Sequence, residues 1–341
     1  MIAEKGKGDA APSELHGRQI PWGRLLVGLL LGGLGLWYVT RDAGLSEIQA
    51  ALSQANPLYI LLGLLVIGVT MVAKAWRWQH LYHPRAEAPP LSDLFWALSL
   101  GQLVNAAVPF FRLGELARVY DLGQQTNSSK ARALGTLVVE KVLDMLLLAL
   151  LLFLLLPFLV IPAFVADSGL VLAILAALAF LLLFLVAYQT EIVVRLARAV
   201  LQRFPGPLRR RFTPLVVSGL EGLSALRNPM ATLRLLLDSA LIALLSVLTP
   251  LVLFPALNLP LNPAAAATIH IGLTVGTLPP STPAKVGIFE FLVVFMLNRF
   301  FAIEDGAVAL AYALVFHLVV VLPQLLLGGI ALARGKRRGE A

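Results

Sequence analysis

The sequence predicts an all-α polytopic membrane protein with about six full spans and two re-entrant helical hairpins, its second half an inverted repeat of the first. Three observations carry that prediction. The 341 residues are 59% hydrophobic and 13% charged, with a mean hydropathy of +0.85, which is the composition of a helical membrane protein rather than of a soluble domain. Lysine and arginine crowd into some intervals between apolar runs and are sparse in others, which sets an orientation. Two apolar tracts, at residues 109–118 and 278–291, are interrupted by proline, glycine and charge.

In chain order, residues 1–20 are polar, contain Lys5, Lys7 and Arg18, and read as a disordered cytoplasmic N-terminus. Trp22 to Val39 ends without a small-x-small cleavage site, so it reads as an uncleaved first span rather than a signal peptide. Leu58 to Trp78 is the second span. The loop between them has Arg41 as its only basic residue, whereas Lys74, Arg77 and Arg85 gather at the far end of the second span. That end and the N-terminus therefore share the cytoplasmic side.

Residues 91–107 are apolar but contain Asp93, Gln102 and Asn105, and they lead through Pro109 into a short helix-like piece ending near Gly123. A full crossing would strand Arg112, Arg118, Lys130 and Arg132 outside, whereas a hairpin that enters from the cytoplasm and returns keeps them inside. Val138 to Val160 is the third span, emerging at Ile161–Ser168, which lacks Lys and Arg.

Leu170 to Tyr188 crosses back into a loop bearing Arg195, Arg198, Arg203, Arg209, Arg210, Arg211 and Arg227, the clearest cytoplasmic mark in the chain. Its piece Ile192 to Leu201 interleaves apolar residues with arginine, which suits an anionic leaflet or a solvated loop. Leu233 to Phe254 crosses outward. Ala264 to Leu278 extends roughly 22 Å as a helix, short of the roughly 30 Å hydrocarbon core, and Gly287 to Phe301 is a similar piece. The last span, Ala307 to Ala333, runs into Arg334, Lys336, Arg337 and Arg338. That basic end belongs in the cytoplasm, so residues 264–301 enter and leave on the outer side. The expectation is one transmembrane domain, residues 21–335, with inverted halves of about 21–160 and 169–335. Residues 336–341 form a basic cytoplasmic tail, and the location is a multi-pass one in a bacterial cytoplasmic membrane.

The interruptions share chemistry. Pro279, Pro280 and Pro283 lack backbone donors, and Lys285 and Glu290 are costly against acyl chains, so protein or water must surround them. Pro109, Arg112, Gly114 and Glu115 follow nearly the order of Pro283, Lys285, Gly287 and Glu290. Paired breaks in inverted halves point to a transporter whose substrate sits near the midplane. A bundle whose breaks are packing kinks is the alternative.

Other classes are disfavoured. The chain has no cysteine, and His16, His80, His83, His270 and His317 do not fall at ligand spacing, so neither a metal nor another cofactor is expected. The net charge of +8 is explained by orientation rather than by nucleic acid. No phosphate loop of the Walker type occurs, so movement would be facilitated or ion-coupled.

At these residues the sequence resembles the lysylphosphatidylglycerol synthase transmembrane, or flippase-domain, family. The segments Asn105 to Glu115, Glu140-Lys141-x-x-Asp144 and Pro283 to Glu290 carry the resemblance, which extends over most of residues 20–335. Relatives of the multiple peptide resistance factor type join this membrane region to a soluble aminoacyl-transferase domain. The role the family implies is movement of lipid between leaflets. No transferase domain follows up to Ala341, so the expectation is a flippase or scramblase rather than synthesis of an aminoacylated lipid.

A phospholipid must carry its headgroup through about 30 Å of hydrocarbon, where each exposed charge costs several kcal/mol. Arg112 and Arg118 can grip a phosphate through charge-assisted bonds, Arg112 foremost, and Lys285 offers a point charge from the opposite hairpin. Short helices beginning near Gly114 and Gly287 add free N–H groups. An interfacial pair explains Arg112 and Arg118 equally. Glu140 and Asp144 share a helix face, where they either cap a helix start or pair with Arg112 or Arg118. Glu290, set among Phe289, Phe291 and Leu292, can pair with Lys285, carry a proton or contact an amine. Asn105 and Glu115 complete the candidate substrate-binding set. The expected partners are a membrane phospholipid or another anionic or zwitterionic lipid; a homo-oligomer and a separate lipid-modifying enzyme are compatible. A membrane-embedded transferase on a lipid-linked substrate and a structural assembly subunit are the rival functions.

Overall fold

The computed structural model describes residues 22–41, 44–83, 85–108, 112–126, 129–155, 188–202, 206–278 and 282–339, with scattered residues between 174 and 185. The expected N-terminal tail, Pro109, Pro279, Pro280, the Ile161–Ser168 interval and most of the fourth span lie outside the described residues. All regular structure among the described residues is helical. The helices Pro57–Leu81, Pro229–Leu257 and Gly306–Gly335 are each long and apolar enough to cross a membrane.

Two of the longest helices begin alike. α3 (Pro57–Leu81) and α9 (Pro229–Leu253) have 25 residues each and open with Asn-Pro. The Asn56 side chain accepts from Leu58 N–H at 3.0 Å, and Asn228 from Met230 N–H at 2.9 Å. Proline at the first helical position loses nothing, because its missing donor would have been unpaired there. The two helices pack antiparallel. Gly63 of α3 faces Leu253 of α9, while His80 Nδ1 meets Asp238 Oδ2 at 2.6 Å. At one end of the pair Asn56 N–H donates to the Ala256 carbonyl at 2.9 Å. At the other, Ser224 Oγ donates to the His83 carbonyl at 2.7 Å.

Against this pair lie two helical hairpins. The first is α4 (Leu91–Ala107) with α5 (Leu113–Gln125), the second α10 (Pro263–Gly276) with α11 (Ile288–Phe301). They have 17, 13, 14 and 14 residues, so none reaches roughly 30 Å at 1.5 Å per residue. Small residues let each hairpin close. A Cβ on Gly101 of α4 would sit 2.7 Å from the Gly114 carbonyl oxygen of α5, and Gly272 and Gly276 of α10 receive Met296 and Leu292 of α11. α4 packs on α3 and α10 on α9. α6 (Lys130–Leu155) packs on α5 and α10, and α12 (Gly306–Gly339) packs on α11 and α4. α12 runs antiparallel to α4, with Gly328 against Leu103 and the Arg334 guanidinium 4.7 Å from the centre of the Trp96 ring.

α1 (Trp22–Thr40) lies on α11, where the Gly32 and Gly287 backbones approach closely. Three helices complete the described set: α2 (Leu45–Ser53), α7 (Thr190–Leu201) and α8 (Gly206–Glu221). Neither α2 nor α8 was anticipated, since neither is an apolar run. α6 also begins earlier than the expected Val138, because its polar first turns continue the same helix. Two buried apolar clusters frame the centre. One contains Leu253, Phe289, Tyr312 and Phe316, the other Trp78, Leu98, Leu122 and Leu143.

Candidate functional site

Between the clusters, bounded by Leu98 and Phe289, lies a cavity of about 300 Å³ reached by both hairpins. Five cations line it, Lys74, Arg77, Arg118, Lys141 and Lys285, against three carboxylates, Glu115, Glu140 and Asp144. Charge at this density inside an apolar bundle is tolerated only with close partners. Arg118 of α5 donates to Glu140 of α6 at 2.8 Å and also pairs with Glu115, one turn earlier on its own helix. Lys141 reaches Glu115 at 2.8 Å and Glu140 at 3.5 Å. Arg77 of α3 donates to Asp144 at 2.6 Å and to Ser239 of α9 at 3.0 Å. The face of Trp78 covers Arg118 at 4.9 Å.

All three carboxylates are thus engaged, but two cations are not matched. Lys74 has no carboxylate within ion-pair distance among the described residues, and the Lys285 ammonium donates to the neutral Thr277 hydroxyl at 2.9 Å. Lys74 comes from α3 and Lys285 from the second hairpin. Both also line an adjoining cavity of about 210 Å³, to which α10 contributes His270 and Thr274.

The turns of both hairpins are held in unusual backbone. Arg112 opens α5 at φ 48°, and Ala284, Lys285 and Gly287 stand at φ 51°, 66° and 89°. Side chains with a Cβ resist this left-handed region, so other bonds must hold them there. In the first turn, Asn105 Oδ1 accepts from Gly114 N–H at 2.8 Å. In the second, Glu290 Oε2 accepts from Gly287 N–H at 2.7 Å and His317 Nε2 meets the Ala284 carbonyl at 2.8 Å. Glu290 Oε1 and His317 Nδ1 form a short hydrogen bond, and Phe289 stacks on the imidazole at 4.4 Å.

Of the residues singled out from the sequence, Asn105, Gly114, Glu115, Arg118, Glu140, Asp144 and Lys285 line the larger cavity. Glu290 stands behind it, joined through His317 rather than Lys285. Arg112 is exposed at its turn and does not line the cavity. Gly287 faces α1, and Pro283 starts the short turn Pro283–Lys285. Sequence reasoning missed Lys74, Arg77, Gln102, His317 and Gln324. Lys74 and Arg77, read from the sequence as marks of the cytoplasmic boundary, line the cavity instead, because α3 continues to Leu81 and turns this face toward α6. An ionisable residue within an apolar span was the available signal. Among the described residues no group of three or more His, Asp or Glu is placed to hold a metal ion.

Three membrane-length apolar helices, in a fold whose described residues form only helices around a charged cavity, are those of a multi-pass membrane protein. Its sequence assigns it more closely. A family model of the lysylphosphatidylglycerol synthase TM region matches residues 25–328, and the chain belongs to that family. A UPF0104 membrane protein of Methanocaldococcus jannaschii is 27% identical over 117 residues, which cover 34% of this chain and 35% of that protein. The match thus spans about a third of the relative's length.

Proposed function

We propose that this protein is a lipid transporter, a flippase or scramblase, that moves a phospholipid or another lipid with a charged headgroup between leaflets. The observation that carries this reading is the pair Lys74 and Lys285, facing one cavity without carboxylate partners while Glu115, Glu140 and Asp144 are engaged elsewhere. Lys74 is half-buried and Lys285 exposed on the wall of the same cavity, so an anion between them would gain charge-assisted bonds from both. A phosphate crossing hydrocarbon needs such a replacement for its water. The family takes its name from the membrane region of a lipid synthase, which agrees with a lipid cargo.

The packing supports an inverted repeat. α3 and α9 correspond as Asn-Pro helices of equal length running in opposite directions. Each hairpin packs on the helix before it, α4 on α3 and α10 on α9, and on the last helix of the opposite half, α12 and α6. In this arrangement both hairpins are re-entrant from opposite faces of a bacterial cytoplasmic membrane, and both termini are cytoplasmic. A homo-oligomer and a separate enzyme that modifies the lipid fit the same reading.

The test is leaflet exchange of a fluorescent phospholipid by the purified protein in liposomes. Exchange above that of protein-free vesicles, reduced in Lys74→Ala and Lys285→Ala, is expected. Vesicles with inserted protein and no acceleration for anionic, zwitterionic or aminoacylated phospholipid would overturn the transporter reading. Covalent conversion of the lipid would replace it with a transferase.

A further inference from the structure

Glu290 and His317 are buried, adjacent and unused by the headgroup argument. Glu290 is 2% exposed. Their hydrogen bonds admit a count of protons. The Ala284 carbonyl oxygen has no hydrogen to give, so the His317 Nε2 that meets it at 2.8 Å must carry one. The other ring nitrogen, Nδ1, faces Glu290 Oε1. Either Nδ1 also carries hydrogen, making an imidazolium beside a carboxylate, or Glu290 carries it on Oε1 and Nδ1 accepts. Both arrangements hold one proton more than a neutral imidazole with a carboxylate. Without that proton, one of the two ring nitrogens would point a lone pair at an oxygen, and its bond would fail.

Those bonds hold the second hairpin's turn. His317 grips the carbonyl of Ala284 and Glu290 grips the amide of Gly287, on either side of Lys285. The turn is in left-handed backbone, with Ala284 at φ 51° and Lys285 at φ 66°, so releasing one grip lets it relax. Lys285 is the cation that the turn presents to both cavities.

We propose that Glu290 and His317 form a proton-binding site, and that the proton is the coupling ion for lipid movement. With the proton bound, the turn is clamped and Lys285 is presented to the cavity. With the proton lost, the clamp opens on one side and Lys285 is no longer fixed. Proton and lipid phosphate therefore favour the same state, and each raises the affinity for the other. This inference rests on the transporter reading only for its coupling; the proton site stands on its own geometry.

Other ionisable groups face the same space. Lys285 lies in the turn, Lys74 and Arg77 on α3, and Glu115 and Arg118 on α5, whose N-cap Arg112 also acts on Lys285. α6 adds Glu140, Lys141 and Asp144, α10 adds His270, and α4 offers only the neutral Gln102 and Asn105. α1 brings Tyr38 against Phe291. On α2, Glu47 is turned back to the Gly44 amide, and Asp238 of α9 is taken by His80. The carboxylates of this group are held by cations, which leaves Glu290 and His317 as the acid–base pair whose hydrogen bonds share a proton.

Two measurements test the proposal. The first is an infrared pH difference spectrum of the purified protein. A protonation signal of the carboxyl or imidazole that is absent from Glu290→Gln and from His317→Gln supports the site; an identical signal in wild type and both variants overturns it. The second is exchange of fluorescent phosphatidylglycerol in vesicles of phosphatidylethanolamine and phosphatidylglycerol between about pH 5 and pH 8. The wild-type rate should fall about tenfold per pH unit on the alkaline side of its transition, the slope of a single proton. In Glu290→Gln the amide can donate to Nδ1 and accept from Gly287, mimicking the protonated clamp, so exchange should persist with a flat pH profile. His317→Gln should also be flat, and serves if Glu290→Gln fails to fold. A flat wild-type profile, or a wild-type profile retained in the folded variants, overturns the coupling. Absence of wild-type exchange at every pH overturns the transporter reading instead, and the infrared result then decides the proton site alone.

Discussion

Arg77 and Asp144 meet at 2.6 Å across α3 and α6, yet they are unequal partners: the Arg77 side chain is 2% exposed and that of Asp144 is 42% exposed. The guanidinium also donates to Ser239 of α9, so one side chain ties three helices. Asp144→Asn should therefore cost about 3–5 kcal/mol, because it leaves the buried Arg77 guanidinium without its nearest carboxylate. Arg77→Ala should cost less, about 1–3 kcal/mol, because the carboxylate it leaves behind is open to water. Thermal unfolding in detergent checks the contrast. A larger loss in Arg77→Ala would overturn this order.

The unmatched lysines should behave in the opposite way. Lys74→Ala and Lys285→Ala remove cations that have no carboxylate within ion-pair distance among the described residues, so folding stability should be unchanged or improved. Lipid exchange should fall by about tenfold or more, since a charge-assisted bond contributes about 1.5–3 kcal/mol. Arg112→Ala should have a smaller effect, because that residue does not line the cavity that Lys74 and Lys285 share. Exchange rates of the three variants at matched insertion give the ranking.

The first hairpin depends on a glycine contact. A Cβ at Gly114 would collide with the Gly101 carbonyl oxygen and the Asn105 side chain, both fixed by α4. Gly114→Ala should splay the hairpin and expose it to protease. Asn105→Ala should cost about 1–3 kcal/mol, because it leaves the Gly114 amide unpaired in a part-buried place. Limited proteolysis and unfolding of the two variants should place Gly114→Ala as the more damaging.

Topology can be mapped without background labelling, because the chain has no cysteine. Single cysteines at Ser53 and Glu304 should react with an impermeant reagent from outside intact cells. One at Arg338 should react only after the membrane is opened. Reaction of the Arg338 position from outside would reverse the proposed orientation.

The breaks were legible because proline, glycine and charge have no local reason to interrupt an apolar tract, and the helices flanking both turns lie where those breaks put them. Asn105, Arg118, Glu140 and Lys285 share a cavity although they are far apart in sequence, and only the short motifs hinted at it. Lys74 and Arg77 were misplaced for a definite reason. Counting basic residues assigns a side of the membrane by position along the chain, whereas Lys74 lies seven residues before the end of α3, roughly 10 Å inside it. His317 was invisible as a partner of Glu290, since 27 residues separate them and α12 must return past α11 before they meet.

The latched pair of α3 and α9 limits how the protein can move. Sliding one helix along the other by a single turn, about 5.4 Å, would break the Asn56–Ala256, Arg77–Ser239, His80–Asp238 and Ser224–His83 bonds together. The two helices thus form a common beam rather than a sliding joint. Under the proposed transport, it is the short hairpins that would tilt about that beam, while the beam itself stays still.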